Sequence, residues 1–379
     1  MKIFTKNNVY EEAKERMRYL FSEYKNIAVC FSGGKDSTAT LGVAIEVARE
    51  LNRLPLPVIF VDQEAEWQAT VDYMNIVMRM PEVTPYWFQC PFKIFNATSN
   101  DDKWLKVFDP AAKDKWIHPH VDISIKEDIF TKDRFTQTFL QALKYVFGDE
   151  PAAYLAGVRC QESPARTVGL TTHATYKHIT WGKNEDKKKN QHSFYPLYDW
   201  EIKDVWKYIN DNNLPYNKHY DTMYQYGIPI GKMRVSNLHH ETALASLYIL
   251  QEIEGNTWNR VCQRLGGIHA AGILGESDFQ AKKLPFMFST WKEYRDYLMP
   301  LLIHSDDDRE IFLKQFKKAD KLYTHTIRAD EADKCLVQCI LANDVYMTKF
   351  INFTVGNKNQ PIKEAKRHLR KVAATGKKV

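Results

Sequence analysis

Residues 26–37, NIAVCFSGGKDS, limit the fold more than any other window of the chain. Residues 26–31 form a short apolar run containing Ile27 and Val29, as in a buried strand. Ser32-Gly33-Gly34 then turns the chain. From Thr38 onward Leu41, Ile45, Ala48 and Leu51 recur every three or four positions, as on one helix face. Strand, glycine turn and helix in that order build an anion site. The first amides of a helix lack partners within it, and the aligned peptide dipoles favour negative charge there. Two glycines let backbone approach a phosphate where a Cβ would collide. Lys35, Ser37 and Thr38 add a cation and hydroxyl donors.

The spacing separates this loop from the Walker A type. That motif requires Gly five residues before Gly34, where Val29 stands, and Ser or Thr after Lys35, where Asp36 stands. Asp36 has two readings here, an Mg2+ ligand or a side-chain cap on the helix.

Further along, 57–62 (PVIFVD) and 152–158 read as buried strands, and helices are expected over 8–24, 64–80, 135–147 and 201–210. Weak periodicity makes 81–125 an irregular insertion, and KNEDKKKN at 183–190 a solvated loop. Strands alternating with helices predict an α/β fold with a doubly wound, mostly parallel sheet over 1–237. Residues 238–379 read as mostly helical, ending in a basic tail at 361–379. Ligands of such sheets bind outside the carboxyl ends of the strands. Three signals fall at that address: the loop 32–37, Asp62, and Gly157-Val158-Arg159. Asp62 can accept hydrogen bonds from adenine, ribose or substrate, or help hold Mg2+. Arg159 can fork onto a phosphate or carboxylate, and Glu162 and Arg166 stand at helical spacing for a mutual ion pair.

The sequence SGGKDS resembles the signature of the PP-loop ATP pyrophosphatases. VDQEAEW, AGVRCQESPAR and FYPLYDWEIKDVWKYI resemble successive motifs of the phosphoadenosine phosphosulfate (PAPS) reductase family within that superfamily. NLPYNKHYDTMYQYGIPIGKMRV and TWNRVCQRLGG are similar to a bacterial and phage subfamily that includes immunoglobulin-binding regulator A. Together these segments run from about Val9 to Gly267. The resemblance implies a loop that holds the pyrophosphate end of ATP, with cleavage between the α and β phosphates. It assigns nucleotide contacts to Ser32, Gly33, Gly34, Lys35, Asp36, Ser37, Thr38, Asp62, Gly157 and Arg159, and catalytic roles to Lys35, Asp36 and Arg159.

Departures from the family narrow the chemistry. A sulfonucleotide reductase needs a cysteine in a Glu-Cys-Gly-Cys-type segment near its C-terminus, and bacterial assimilatory enzymes add paired cysteines for an iron–sulfur cluster. Here the six cysteines are scattered with no Cys-x-x-Cys pair, and Gly227-Ile228-Pro229-Ile230-Gly231-Lys232-Met233-Arg234 stands where the reductases place one pair. PAPS reduction, an iron–sulfur cluster, a zinc ribbon and a disulfide framework are therefore not expected. The expectation is ATP, with Mg2+, used to adenylate an unknown acceptor, nucleic acid being one candidate. Two alternatives stay open. One is a nucleotide-sensing regulatory subunit with a ParB/sulfiredoxin-like partner, which the subfamily resemblance suggests. The other is sulfur transfer through Cys160, beside Arg159.

The formal charge of +6 resides in the tail, where seven cations from Lys363 to Lys378 face the single anion Glu364. Such a helix can contact nucleic acid or an acidic partner, or close onto the body. No apolar run approaches the ~18 residues of a membrane span and the N-terminus has no signal-peptide core, so a cytoplasmic protein without a membrane partner is expected. Asp199 reads as a helix cap, and Trp200 and Trp206 as core. His118 and His120 lack a third metal ligand at fitting spacing. Cys335 and Cys339 share a helix face and read as buried packing.

Overall fold

The computed structural model describes residues 6–99, 102–130, 135–186, 188–240, 243, 246–268, 281, 283–341, 344 and 347–356. The basic tail at 361–379 lies outside them. The chain divides into two compact units. One comprises 1–94, 104–238 and 249–264; the other comprises 95–103, 239–248 and 265–379.

In the first unit Asn8 caps α1 (Val9–Glu23) by accepting from the Tyr10 amide, and Ala13, Met17, Leu20 and Phe21 form its buried face. Then follow β1 (Asn26–Cys30), α2 (Lys35–Glu50), β2 (Leu56–Val61), α3 (Gln68–Val77) and β3 (Val83–Phe88). A two-stranded ribbon of β4 (Phe92–Phe95) and β5 (Trp104–Val107) precedes α4 (Phe135–Phe147) and β6 (Ala152–Leu155). After α5 (Pro164–Thr171) come β7 (Gly182–Asp186), β8 (Gln191–Phe194), α6 (Ile202–Asp211), α7 (His219–Gln225), α8 (Leu247–Ile253) and α9 (Gly255–Arg264).

The main sheet runs β3-β2-β1-β6-β8-β7. Its first five strands are parallel, with Val29 beside Val58 on one side and Leu155 on the other, and β7 is antiparallel to β8. This is the expected doubly wound α/β fold. Strand order reverses between β1 and β6, so the segments leaving those two strands flank the crevice where such sheets bind ligands.

Three local expectations change. The insertion expected over 81–125 contains β3, a full member of the sheet. Pro85 hid it: a residue without an N–H is tolerated because β3 lies at the sheet edge. Residues 183–186 of the expected solvated loop are strand, since β7 needs only backbone pairing on one side and presents polar side chains as an edge strand. The helix expected from Glu64 begins at Gln68 instead, because Glu64 holds a left-handed φ of 62° and residues 62–67 form a buried acidic turn.

The second unit includes helices Trp291–Leu302, Asp306–Tyr323, Ala329–Leu341 and Thr348–Gly356 around a core of Phe312, Phe316, Leu336, Ile340 and Phe350. Arg295 is buried beneath them, 2.6 Å from Asp333 and 3.2 Å from Asp320. Cys339 is buried and Cys335 half-buried in this core, as packing. Among the described residues no helix is long and apolar enough to cross a membrane.

Candidate functional site

The loop between β1 and α2 is shaped by its glycines. Gly33 takes φ +71°, and a Cβ there would stand 3.2 Å from Thr70 Cγ2. Gly34 is the N-cap of α2 and contributes no side chain to the turn. The hydroxyls of Ser37 and Thr38 both donate back to the Gly34 carbonyl, at 2.8 and 3.0 Å, which fixes the first turn. Ser37 Oγ also accepts from the Ser32 amide at 3.3 Å, closing the loop on itself.

Across the switch point, the segment leaving β6 meets that turn. A Cβ on Gly157 would lie 2.6–2.7 Å from the backbone of Asp36 and Ser37, so this approach requires glycine. Arg159, almost fully buried, points its Nε at Asp36 Oδ1, 2.5 Å away. Its Nη1 donates to Gln161 Oε1 at 3.0 Å and to the Trp200 carbonyl at 3.2 Å. Asp36 Oδ2 faces Lys35 Nζ at 3.3 Å. Asp36 makes no capping bond; of its two expected roles, the cap is absent. Both its oxygens are engaged by cations. Among the described residues no group of three or more His, Cys, Asp or Glu could hold a metal ion. Mg2+ of a nucleotide site is held mostly by the phosphates with one or two carboxylates; Asp36 would be the carboxylate here, and no step below passes through the ion.

Two contacts at the loop carry no motif signal. The Lys35 amide, at the positive end of α2, donates to the Tyr220 hydroxyl at 3.0 Å. The Lys35 ammonium, 5.4 Å from the centre of the Tyr220 ring, donates to the Met233 carbonyl at 3.2 Å. Lys35 is thus buried and held by residues 220–233, nearly two hundred positions away in sequence. Next to Tyr220, His219 stacks on Trp67 at 3.8 Å between ring centres. Among the described residues neither of its buried ring nitrogens has a hydrogen-bond partner, and burial lowers its pKa to about 4, so the ring is neutral.

Asp62 lies at the end of β2 as expected, but its surroundings are protein on every side. Its Oδ1 accepts from the Glu64 amide at 2.9 Å, and its Oδ2 from Trp87 Nε1 at 2.8 Å and Gln89 Nε2 at 3.1 Å. His118 Nε2 stands 3.3 Å from Oδ1. Burial would raise the Asp62 pKa, but the His118 charge and these hydrogen bonds outweigh it and hold the carboxyl below its ordinary range. His118 is likewise opposed by burial and raised to about 9 by Asp62, while its Nδ1 donates to the Pro119 carbonyl at 3.2 Å. The two form a buried ion pair. Glu64 accepts from the Phe108 amide and Arg264 Nε, both at 2.6 Å. Glu66, bonded by Asn237, is raised to about 8, first by burial and then by Asp62. This acidic turn joins the end of β2 to residues 108–118 and Arg264. It does not present Asp62 to solvent.

The remaining sequence expectations divide. Arg166 pairs with Glu162 as its spacing suggested, and Glu162 also accepts from the Arg159 amide at 2.9 Å. Trp200 is core, and Trp206 is half-buried against Tyr220. Asp199 is not the cap of α6: it forms a two-pronged ion pair with Arg16 at 2.7 Å, while Glu201 is the N-cap in a box with Asp204. Cys160 is half-buried beside Arg159 and forms no disulfide.

With this geometry in view, a family model described as phosphoadenosine phosphosulfate reductase domain matches residues 26–272. The chain belongs to that family. A second model, a domain of unknown function (DUF3440), matches residues 227–330. The uncharacterized protein YbdN of Escherichia coli K12 is 27% identical over 281 residues, covering 72% of this chain and 68% of that protein. Adenosine 5'-phosphosulfate reductase of Lysinibacillus sphaericus is 36% identical over 72 residues, 19% of this chain and 26% of the enzyme. Among solved structures, PAPS reductase of Candida auris in a phosphate complex aligns with TM-score 0.36 and 15% identity, over 63% of this chain and 98% of that one. The sheet, the loop and the family together describe a PAPS reductase-like nucleotide-binding domain.

Proposed function

We propose that this protein binds ATP at the loop 32–37 and cleaves it between the α and β phosphates, adenylating an acceptor. The observation that carries the reading is the Lys35–Asp36–Arg159 cluster at the β1/β6 switch point, in a loop whose spacing is not that of a γ-phosphate-cleaving Walker site. An acceptor oxygen attacks the α-phosphorus in line, the bond to the bridging oxygen breaks, and pyrophosphate leaves with the electron pair. No protein nucleophile is required. The site needs alignment, cations beside the leaving pyrophosphate and exclusion of water. Lys35 and the α2 amides supply the second, and Arg159 fixes the first turn through Asp36. Losing one such donor costs on the order of 10²–10³ in rate.

Arg159 acts in this reading through Asp36 rather than as a free phosphate fork, and Asp62 acts through the packing of the β2 end. A second reading, a nucleotide-sensing regulatory subunit with a protein partner, draws on Tyr220 and Met233, which a phosphate must displace from Lys35. Incubation of the full chain with α- and γ-labelled ATP and a fractionated acceptor mixture tests the first reading. Labelled pyrophosphate with AMP or an adenylated product supports it. ADP with orthophosphate contradicts it, and saturable ATP binding without turnover in every fraction favours the sensor.

A further inference from the structure

Residues 228–235, IPIGKMRV, form a strap whose inner side is fixed at the phosphate loop. Met233 is buried and, with Tyr220 and Met223, forms a small apolar cluster against which Val235 and Ile228 pack. The Met233 carbonyl accepts from Lys35 Nζ at 3.2 Å. Met233 itself is extended, at φ −66° and ψ 117°. Lys232, the last residue of a short 3-10 turn, and Arg234 flank the buried Met233 in sequence. Both are exposed. Neither has an ion-pair or hydrogen-bond partner among the described residues, whereas Asp36 is held by Arg159 and Lys218 faces Asp221.

Two solvated cations, one residue either side of the carbonyl that holds the loop lysine, are free to take an anion at little desolvation cost. The nucleotide's own phosphates are served by Lys35 and the α2 amides. The two exposed cations are left for a second anion brought to the same mouth.

We infer that Lys232 and Arg234 bind a phosphate group of the acceptor, which they hold beside the nucleotide loop. The inference rests on the reading of the loop as an ATP site. The acceptor is thereby a phosphate-bearing molecule, either a nucleic-acid strand or a small phosphate ester. Arg234 suits a two-pronged contact to a phosphate and Lys232 a point contact. Because the strap is tied to Lys35 through Met233, a nucleotide that displaces the Met233 carbonyl repositions both cations, and acceptor binding is linked to nucleotide binding.

The test uses the full chain saturated with a non-hydrolysable ATP analogue, titrated with a fluorescent single-stranded oligonucleotide and, separately, with ribose 5-phosphate. One of the two binds the wild type. The double variant Lys232→Ala, Arg234→Ala loses at least tenfold in that affinity, while Lys232→Arg, which keeps the point charge, retains most of it. If the strand is the ligand, the dependence of log K on log salt also flattens by about one to two in slope. Equal affinity in wild type and double variant overturns the inference, as does binding of neither probe. A double variant that loses the ATP analogue itself also overturns it, assigning the cations to the nucleotide. Failure of the wild type to bind the analogue instead overturns the ATP reading, and the two failures are thus told apart in one series.

Discussion

Arg159 Nε and Asp36 Oδ1 meet at 2.5 Å, joining the segment after β6 to the first turn of α2 across the point where strand order reverses. Both side chains are mostly buried, so the contact is poorly screened by water. Removing either partner leaves a charge with reduced compensation in a crevice. A double-mutant cycle of Arg159→Ala and Asp36→Ala in urea should give a coupling of about 1–3 kcal/mol. Additive effects would show that the pair does not hold the crevice together.

Gly157 tests the same junction without changing charge. A Cβ at 2.6–2.7 Å from the backbone of α2 cannot be accommodated by rotating a side chain. Gly157→Ala should destabilise the protein by roughly 2–4 kcal/mol, within the range of overpacking and backbone displacement. Gly169, inside α5 with open space around it, is the control: Gly169→Ala should stabilise by about 0.5–1 kcal/mol.

The buried pair of Asp62 and His118 gives stability a pH dependence. His118 is raised from 6.5 to about 9, so its contribution is fully present below pH 6.5 and is lost as pH rises through 9. Glu66, raised from 4.5 to about 8, acts in the same direction as pH rises through 8. Asp62 is lowered, so its share is present above its ordinary pKa of 3.8 and is lost on acidification. Thermal unfolding should therefore show a falling melting temperature between pH 6.5 and 9, with part of the slope removed in His118→Gln. A flat profile across that window would contradict the ion pair.

Cys160 stands beside Arg159 without a disulfide. In the adenylation reading its thiol takes no part, and Cys160→Ala should release pyrophosphate at the wild-type rate. Loss of turnover by more than tenfold would move the chemistry to sulfur.

Much of this architecture was legible from local pattern. The strand, glycine turn and helix at 26–51 depend on neighbours in sequence, and so does the Gly157–Arg159 segment at the end of β6. What could not be read depends on partners far away. β3 is visible only once β2 is there to pair with it, because Pro85 breaks the usual signal. Asp62 carries the signature of a ligand carboxylate, and only folding reveals Trp87, Gln89 and His118 around it. Tyr220 and Met233 reach Lys35 through a hydroxyl and a backbone carbonyl, and no motif encodes either.

The central claim, that the loop 32–37 is an ATP site built on Lys35, is tested most directly by calorimetric titration of ATP into wild type and Lys35→Met. The account predicts saturable one-to-one binding to the wild type and a loss of at least a hundredfold in the variant, with the fold intact by circular dichroism. Equal binding by both proteins, or none by the wild type, would contradict it.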